Sequence, residues 1–316
     1  MAPRVSVVVP VWNNRGLTLS CIGSLRRIPS KTAFRLVVVD NGSEDGIERD
    51  LAEMASRDEL TLVRNATNLG YAKATNQGVL AGAGEEFVLF LNNDTLALDG
   101  WLDGLVADLD AHPSAAVAGS LLLYEDARTI QHAGMVAGRN QGELKVVHRW
   151  QFRDLDRAPE ALEPAGVDAV TGASMLVRRS AFERCGLLSE DYVNGFEDID
   201  FCFRVRSAGA EIRYAPASRL IHLESRTPGR RVHESGNARL FQARWGSATF
   251  PDTRGFALAL QETRLRKRLE RDPADGAALR KLSELVAPRG DGESAELAAR
   301  YAALPWRRRF AARLGR

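Results

Sequence analysis

The sequence predicts an α/β fold, a mostly parallel central sheet with helices on both faces, followed by a helical appendage. Three observations predict it. Short β-branched apolar runs alternate with amphipathic segments through the first hundred residues. Three of those runs end in polar turn residues, at Pro10 to Asn14, Asp40 to Ser43 and Asn92 to Thr95. After about Gly246 the composition turns to Ala, Leu, Arg and Glu, which favour helix.

In chain order, Val5 to Val9 reads as a strand, Gly16 to Arg27 as a helix, Arg35 to Val39 as a strand and Ile47 to Ala55 as a helix. Leu60 to Val63, Gly70 to Ala81 and Phe87 to Leu91 then give strand, helix and strand. Continuous apolar strands separated by helices imply a parallel sheet buried on both faces and joined by right-handed crossovers. Ligands of such sheets sit beyond the carboxyl ends of the strands, where the three polar turns gather. From Ala116 to Ile221 the pattern is less regular: strands at Val117 to Leu123, Ser174 to Val177, Ile212 to Tyr214 and Arg219 to His222, and a helix at Ile199 to Ala208. Arg139 to Glu163, rich in charge and poor in pattern, reads as a long loop, lid or disordered insertion. Helices are expected at Phe256 to Glu270, Ala274 to Val286, Ser294 to Ala303 and Trp306 to Leu314, with no repeated helical pair. The division expected is residues 1–246, in halves 1–115 and 116–246, with an extension over 247–316.

The 316 residues, 45% hydrophobic and 27% charged, describe a packed globular protein. Lys plus Arg (43) against Asp plus Glu (41) leaves +2, too balanced for a nucleic-acid partner. Cys21, Cys185 and Cys202 form no C-x-x-C pair and fit neither a disulfide framework nor a zinc site, which points to a reducing compartment. No apolar run approaches a membrane span, and Pro10 interrupts the only leader-like stretch, so the chain reads as cytoplasmic. Pro305 to Arg316 carries five Arg and no acid, with Trp306, Phe310 and Leu314 on one helical face. That helix would suit a peripheral seat on the inner face of a membrane, or would dock on the domain with its arginines solvated.

Each strand-end motif has a functional and a plain reading. Asp40, before Asn41-Gly42-Ser43, can accept a ring N–H from a pyrimidine base or simply form a turn. Asn92-Asn93-Asp94-Thr95 can hold a hard divalent cation that nucleotide oxygens complete, or cap the following loop. Asn68-Leu69-Gly70-Tyr71-Ala72 and Asn76 open a helix whose N-terminus can meet a diphosphate. Gly172 and Ala173 mark a close approach or a tight turn. Within Gly195 to Arg204, Glu197, Asp198 and Asp200 crowd a helix start, which the dipole alone favours. Glu197 and Asp200 share a face, and Asp200 pairs with Arg204 at i, i+4, leaving Asp198 as the carboxylate best placed to take a proton from a hydroxyl. His222, at a strand end before Arg226, Arg230 and Arg231, can ligate a metal or touch a diphosphate.

The ordered set Val5-Ser6-Val7-Val8-Val9-Pro10, Val39-Asp40-Asn41-Gly42-Ser43, Asn68-Leu69-Gly70-Tyr71-Ala72, Leu91-Asn92-Asn93-Asp94-Thr95 and Phe196-Glu197-Asp198-Ile199-Asp200 resembles glycosyltransferase family 2, and within it the rhamnosyltransferase-like bacterial enzymes. The resemblance covers residues 4 to 246. It implies a GT-A fold whose 1–115 half binds a nucleotide sugar and whose 116–246 half binds the acceptor. It implies donor contacts from Pro10, Asn13, Asp40, Asn41, Gly70, Asn76 and Asn93, Mg2+ or Mn2+ at Asp94 and His222, and Asp198 as catalytic base. Gly172, Ala173, Glu197 and Asp200 fall on the acceptor side. The family's D-x-D element is here Asn92-Asn93-Asp94, which weakens the expected hold on metal.

The activity implied is inverting transfer of a sugar from a dTDP- or UDP-sugar, dTDP-rhamnose among them, to a hydroxyl of a glycan or lipid-linked acceptor in polysaccharide or cell-envelope synthesis. Two rivals are a non-catalytic scaffold of the same fold and a sugar-1-phosphate nucleotidyltransferase. The latter would want a Gly-rich phosphate loop where Pro10-Val11-Trp12-Asn13-Asn14 stands.

Overall fold

The computed structural model describes residues 2–223, 232–250, 253–290, 292–305 and 308. The first half is β1 (Val5–Val11), α1 (Arg15–Arg27), β2 (Phe34–Asp40), α2 (Ile47–Ser56), β3 (Thr61–Arg64), α3 (Tyr71–Ala81) and β4 (Phe87–Leu91). β5 (Thr95–Ala97) and α4 (Asp103–Ala111) lead to the second half: β6 (Ala115–Leu123), β7 (Ile130–His132), β8 (Met135–Asn140), β9 (Glu143–His148), β10 (Ala165–Val167), β11 (Ser174–Arg178), α5 (Arg179–Cys185), α6 (Glu197–Ser207), β12 (Glu211–His222) and α7 (Glu234–Trp245). α8 (Thr253–Arg271), α9 (Gly276–Val286) and α10 (Glu293–Ala303) follow. The fourth expected C-terminal helix, with Trp306, Phe310 and Leu314, lies outside the described residues, as do Arg226, Arg230 and Arg231.

The main sheet runs β10-β12-β6-β11-β4-β1-β2-β3. β4, β1, β2 and β3 are parallel, and β11 runs antiparallel between β4 and β6. Both faces are buried, which is why the strands are apolar without alternation. Val5, Val7 and Val9 meet Ile22 and Leu25 of α1, Leu51 of α2 and Leu105 of α4 on one face, while Val8 meets Val79 of α3 in the other core with Phe201 of α6 and Phe241 of α7. At about 25 cal/mol per Å2, a buried Val contributes roughly 1.5 kcal/mol or more.

The segment Arg139 to Glu163 is not a loop or lid. β8 and β9 pair from Met135 against His148 to Asn140 against Glu143, and two 3-10 turns follow. The turn places Gln141 at φ 52 and Gly142 at φ 83, the two left-handed residues of a tight hairpin. Its apolar pattern is faint because the covering surface comes from far along the chain. Phe256 of α8 packs on Gly138, and Gln242 of α7 bonds the amide and carbonyl of Leu144. The two expected strands Ile212 to Tyr214 and Arg219 to His222 are one strand, β12, with a bulge between Ala215 and Arg219.

α8, α9 and α10 share a small core of Leu265, Leu279, Leu282, Val286 and Leu297. Beneath it Arg153, 1% exposed, faces Glu262 and Glu293, and Arg266 bridges both acids at 2.8 Å.

Candidate active site

A cleft of about 450 Å3 opens at the carboxyl ends of β1, β2 and β4. It is lined by Pro10, Val11, Trp12, Asn41, Asn68, Asn92, Asn93 and Asp94 of the first half of the chain and by Met135, His148, Gly172, Ala173, Asn194, Glu197, Asp198 and Asn237 of the second. Asp94 and Asp198, far apart in sequence, therefore share one cavity.

Asp94 stands in the turn after β4, held by the Thr95 amide and hydroxyl donating to Asn92 O. β5 then pairs with the end of β12, setting Thr95 opposite His222, and Leu223 N donates to Asp94 O at 2.9 Å. This pairing brings His222 Nε2 to 3.2 Å from Asp94 Oδ1. Gln131 of β7 fixes the ring: its amide nitrogen donates to His222 O at 2.9 Å, and its Oε1 lies 2.6 Å from Nδ1. An amide oxygen only accepts, so Nδ1 carries the proton and Nε2 faces Asp94.

An imidazole nitrogen that close to a carboxylate oxygen needs a proton on it or a cation bound by both. Two ligands of one octahedral cation, each at about 2.1 Å, lie about 3 Å apart. The pair thus fits Mg2+ or Mn2+, with an outer hydrogen bond of the kind that orients metal-binding histidines. Among the described residues no cluster of three His, Cys, Asp or Glu side chains is assembled.

Asp198 is the second residue of α6. Its Oδ2 accepts from Gly172 N and its Oδ1 from Ile199 N, each at 2.8 Å. Glu197 turns back so that Oε2 accepts from Gly195 N at 2.6 Å, and it lines the cleft beside Asp198. Glu197 and Asp200 share the buried face of α6 as expected, while Asp198 is less buried. Asp200, 1% exposed, is held by Tyr192, Arg204 and Trp245.

Other expected site residues are occupied by the fold. Asp40 is fully buried; Oδ1 accepts from Ser43 N at 2.9 Å, and Oδ2, 3.6 Å from Arg64, accepts no hydrogen bond among the described residues. Asn13 ties the ends of β1 and β2 together through Ser43 Oγ and Glu44 N. Asn76 brackets Leu188 N and O and reaches Glu190. Gly70, at φ 88, caps α3 while its neighbours Asn68 and Tyr71 line the cleft. Asn41 is a hub, donating to Asn68 and accepting from Asn65 and Leu69 N, and Asn93 donates to Thr18.

Nothing in the local sequence singles out His148, whose Nδ1 lies 2.9 Å from Nδ1 of buried His132. Burial, then the nearby His148, His222 and Arg149, hold His132 well below the ordinary imidazole range. Asn237 was also unforeseen; it clasps the loop before α6 through Val193 N, Val193 O and Gly195 O. Only the turn signal Asn194-Gly195 hinted at that loop.

A family model described as glycosyl transferase family 2 matches residues 6–186. The chain belongs to this family. It is 30% identical to the N-acetylglucosaminyl-diphospho-decaprenol L-rhamnosyltransferase of Mycobacterium tuberculosis over 71% of this chain and 77% of that one. It is 29% identical to the uncharacterized protein y4gI of Sinorhizobium fredii over 79% of this chain, and there it spans only 28% of the relative's length. The crystal structure of GalNAc-T7 with UDP, GalNAc and Mn2+ superposes with a TM-score of 0.59 at 16% identity, covering 84% of this chain and 51% of that one. The chain has the GT-A fold, and among its described residues no helix is long and apolar enough to cross a membrane.

Proposed function

We propose that the protein moves a sugar from a nucleotide-diphosphate donor to a hydroxyl acceptor with inversion at the anomeric carbon. The observation that carries this reading is the single cleft lined by both Asp94 and Asp198. Asp198 takes the acceptor's proton as its oxygen forms the new bond to the anomeric carbon. The bond to the diphosphate breaks on the opposite side, and the nucleotide leaves with the electron pair. Gly172 N and Ile199 N hold the carboxylate for that task. Asp94 and His222 would hold Mg2+ or Mn2+, which when bound supplies positive charge to the leaving diphosphate. Pro10, Trp12, Asn41 and Asn93 line the cleft where the nucleotide would sit.

Donor and acceptor are proposed by kinship. The rhamnosyltransferase relative is named for moving L-rhamnose onto a decaprenol-diphosphate-linked sugar, and GalNAc-T7 was solved with UDP and Mn2+. A dTDP- or UDP-sugar donor and a glycan or lipid-linked acceptor follow for this chain. The test is a panel of nucleotide sugars with and without Mn2+, read as released nucleoside diphosphate and as a ligand-dependent rise in melting temperature. One nucleotide should give both signals. No response from any nucleotide would overturn the reading in favour of a scaffold.

A further inference from the structure

We propose that Tyr71 is a positioning residue for Asp198, a role that rests on Asp198 being the base. Tyr71 touches both loops that flank this acid. Its hydroxyl donates to Gly172 O at 3.0 Å, and its backbone N–H donates to the Asn194 side-chain oxygen at 3.2 Å. Gly172 in turn donates to Asp198 Oδ2 at 2.8 Å, and Asn194 lies two residues before Phe196, which enters α6 at φ 76.

The chemistry of Gly172 explains why such a prop is needed. A Cβ there would stand 3.0 Å from the Tyr71 hydroxyl, tight enough to push on that contact, and 3.4 Å from Asp198 Cβ, an ordinary contact distance. A glycine has the widest backbone freedom of any residue, and its N–H would aim poorly if left to itself. Tyr71 restrains the carbonyl of the same residue whose amide holds the carboxylate. Because Tyr71 opens α3 in the first half of the chain, the base is aimed by an element far from it in sequence. The motif Asn68-Leu69-Gly70-Tyr71-Ala72 then serves proton transfer as well as the nucleotide side.

The test is a double-mutant cycle on the full chain with Tyr71→Phe, Asp198→Asn and the pair. The assay is nucleoside diphosphate release from whichever sugar of the UDP-, dTDP- and GDP-sugar panel turns over. Tyr71→Phe keeps the ring and removes the hydroxyl's bond to Gly172 O, so kcat should fall about 3- to 10-fold with KM for the donor unchanged. In the Asp198→Asn background the same change should do nothing further, because the residue acts through the base. Equal losses in both backgrounds, or a raised donor KM alone, would overturn the positioning role while leaving Asp198 as base. Near-normal turnover of Asp198→Asn alone would remove the base assignment and the proposal with it. A melting curve of Tyr71→Phe close to wild type separates the effect from misfolding.

Discussion

Replacing Gln131 with Met should weaken the hold on a divalent cation without touching the two residues proposed to bind it. Gln131 makes two hydrogen bonds to His222, one to the ring nitrogen that does not face Asp94 and one to the backbone carbonyl. Each is worth about 0.5 to 1.5 kcal/mol net, so about 1 to 3 kcal/mol of the hold on His222, ring and backbone together, is at stake. At tenfold per about 1.4 kcal/mol this predicts a loss of roughly 5- to 150-fold in metal affinity, in line with outer partners of metal-binding histidines. Met has nearly the volume of Gln and no polar atom to strand in the buried site, which limits the packing loss. The assay is a Mn2+ titration of nucleoside diphosphate release. Half-saturating Mn2+ should rise while the rate at saturation stays near wild type. An unchanged Mn2+ requirement, or full turnover with the cation chelated away, would refute the argument that the 3.2 Å pair of Asp94 and His222 is a cation site.

Glu262→Gln should destabilise the fold by about 3 to 5 kcal/mol, because it leaves buried Arg153 and Arg266 short of an acid; denaturant unfolding measures it. His132 has its folded pKa depressed relative to the unfolded chain. Its neutral form is the one the fold accepts, so that contribution is complete above the unfolded value of about 6.5 and is lost as pH falls below it, by up to about 1.4 kcal/mol per pH unit. His132→Gln should flatten melting temperature against pH over that window, and an unaltered slope would show that another group governs it.

The first half was legible because its strands are buried on both faces and its turns carry Asn, Asp and Gly at the sheet edge. Local chemistry and tertiary context agree there. The second half was not, because its geometry depends on partners far away. The hairpin of β8 and β9 is covered by Phe256 and Gln242, and β12 conceals a bulge where two strands were expected. At the site, Asp94, Asp198 and Asn41 could be singled out as acids and amides at strand or helix ends. The same reasoning singled out Asp40, Asn13 and Asn76, which bond within the fold and do not line the cleft. A motif names residues that stay together in sequence and does not say which of them face the cavity. Gln131, His148 and Asn237 carry no local signature, since each acts by meeting a residue outside its own stretch of sequence.

The proton-accepting role of Asp198 beside a separate nucleotide grip is tested most directly by Asp198→Asn, with turnover and UDP or dTDP affinity measured on one preparation. The account predicts a fall in turnover of about 100-fold or more with nucleotide affinity kept. Turnover near wild type, or nucleotide binding lost along with it, would contradict it.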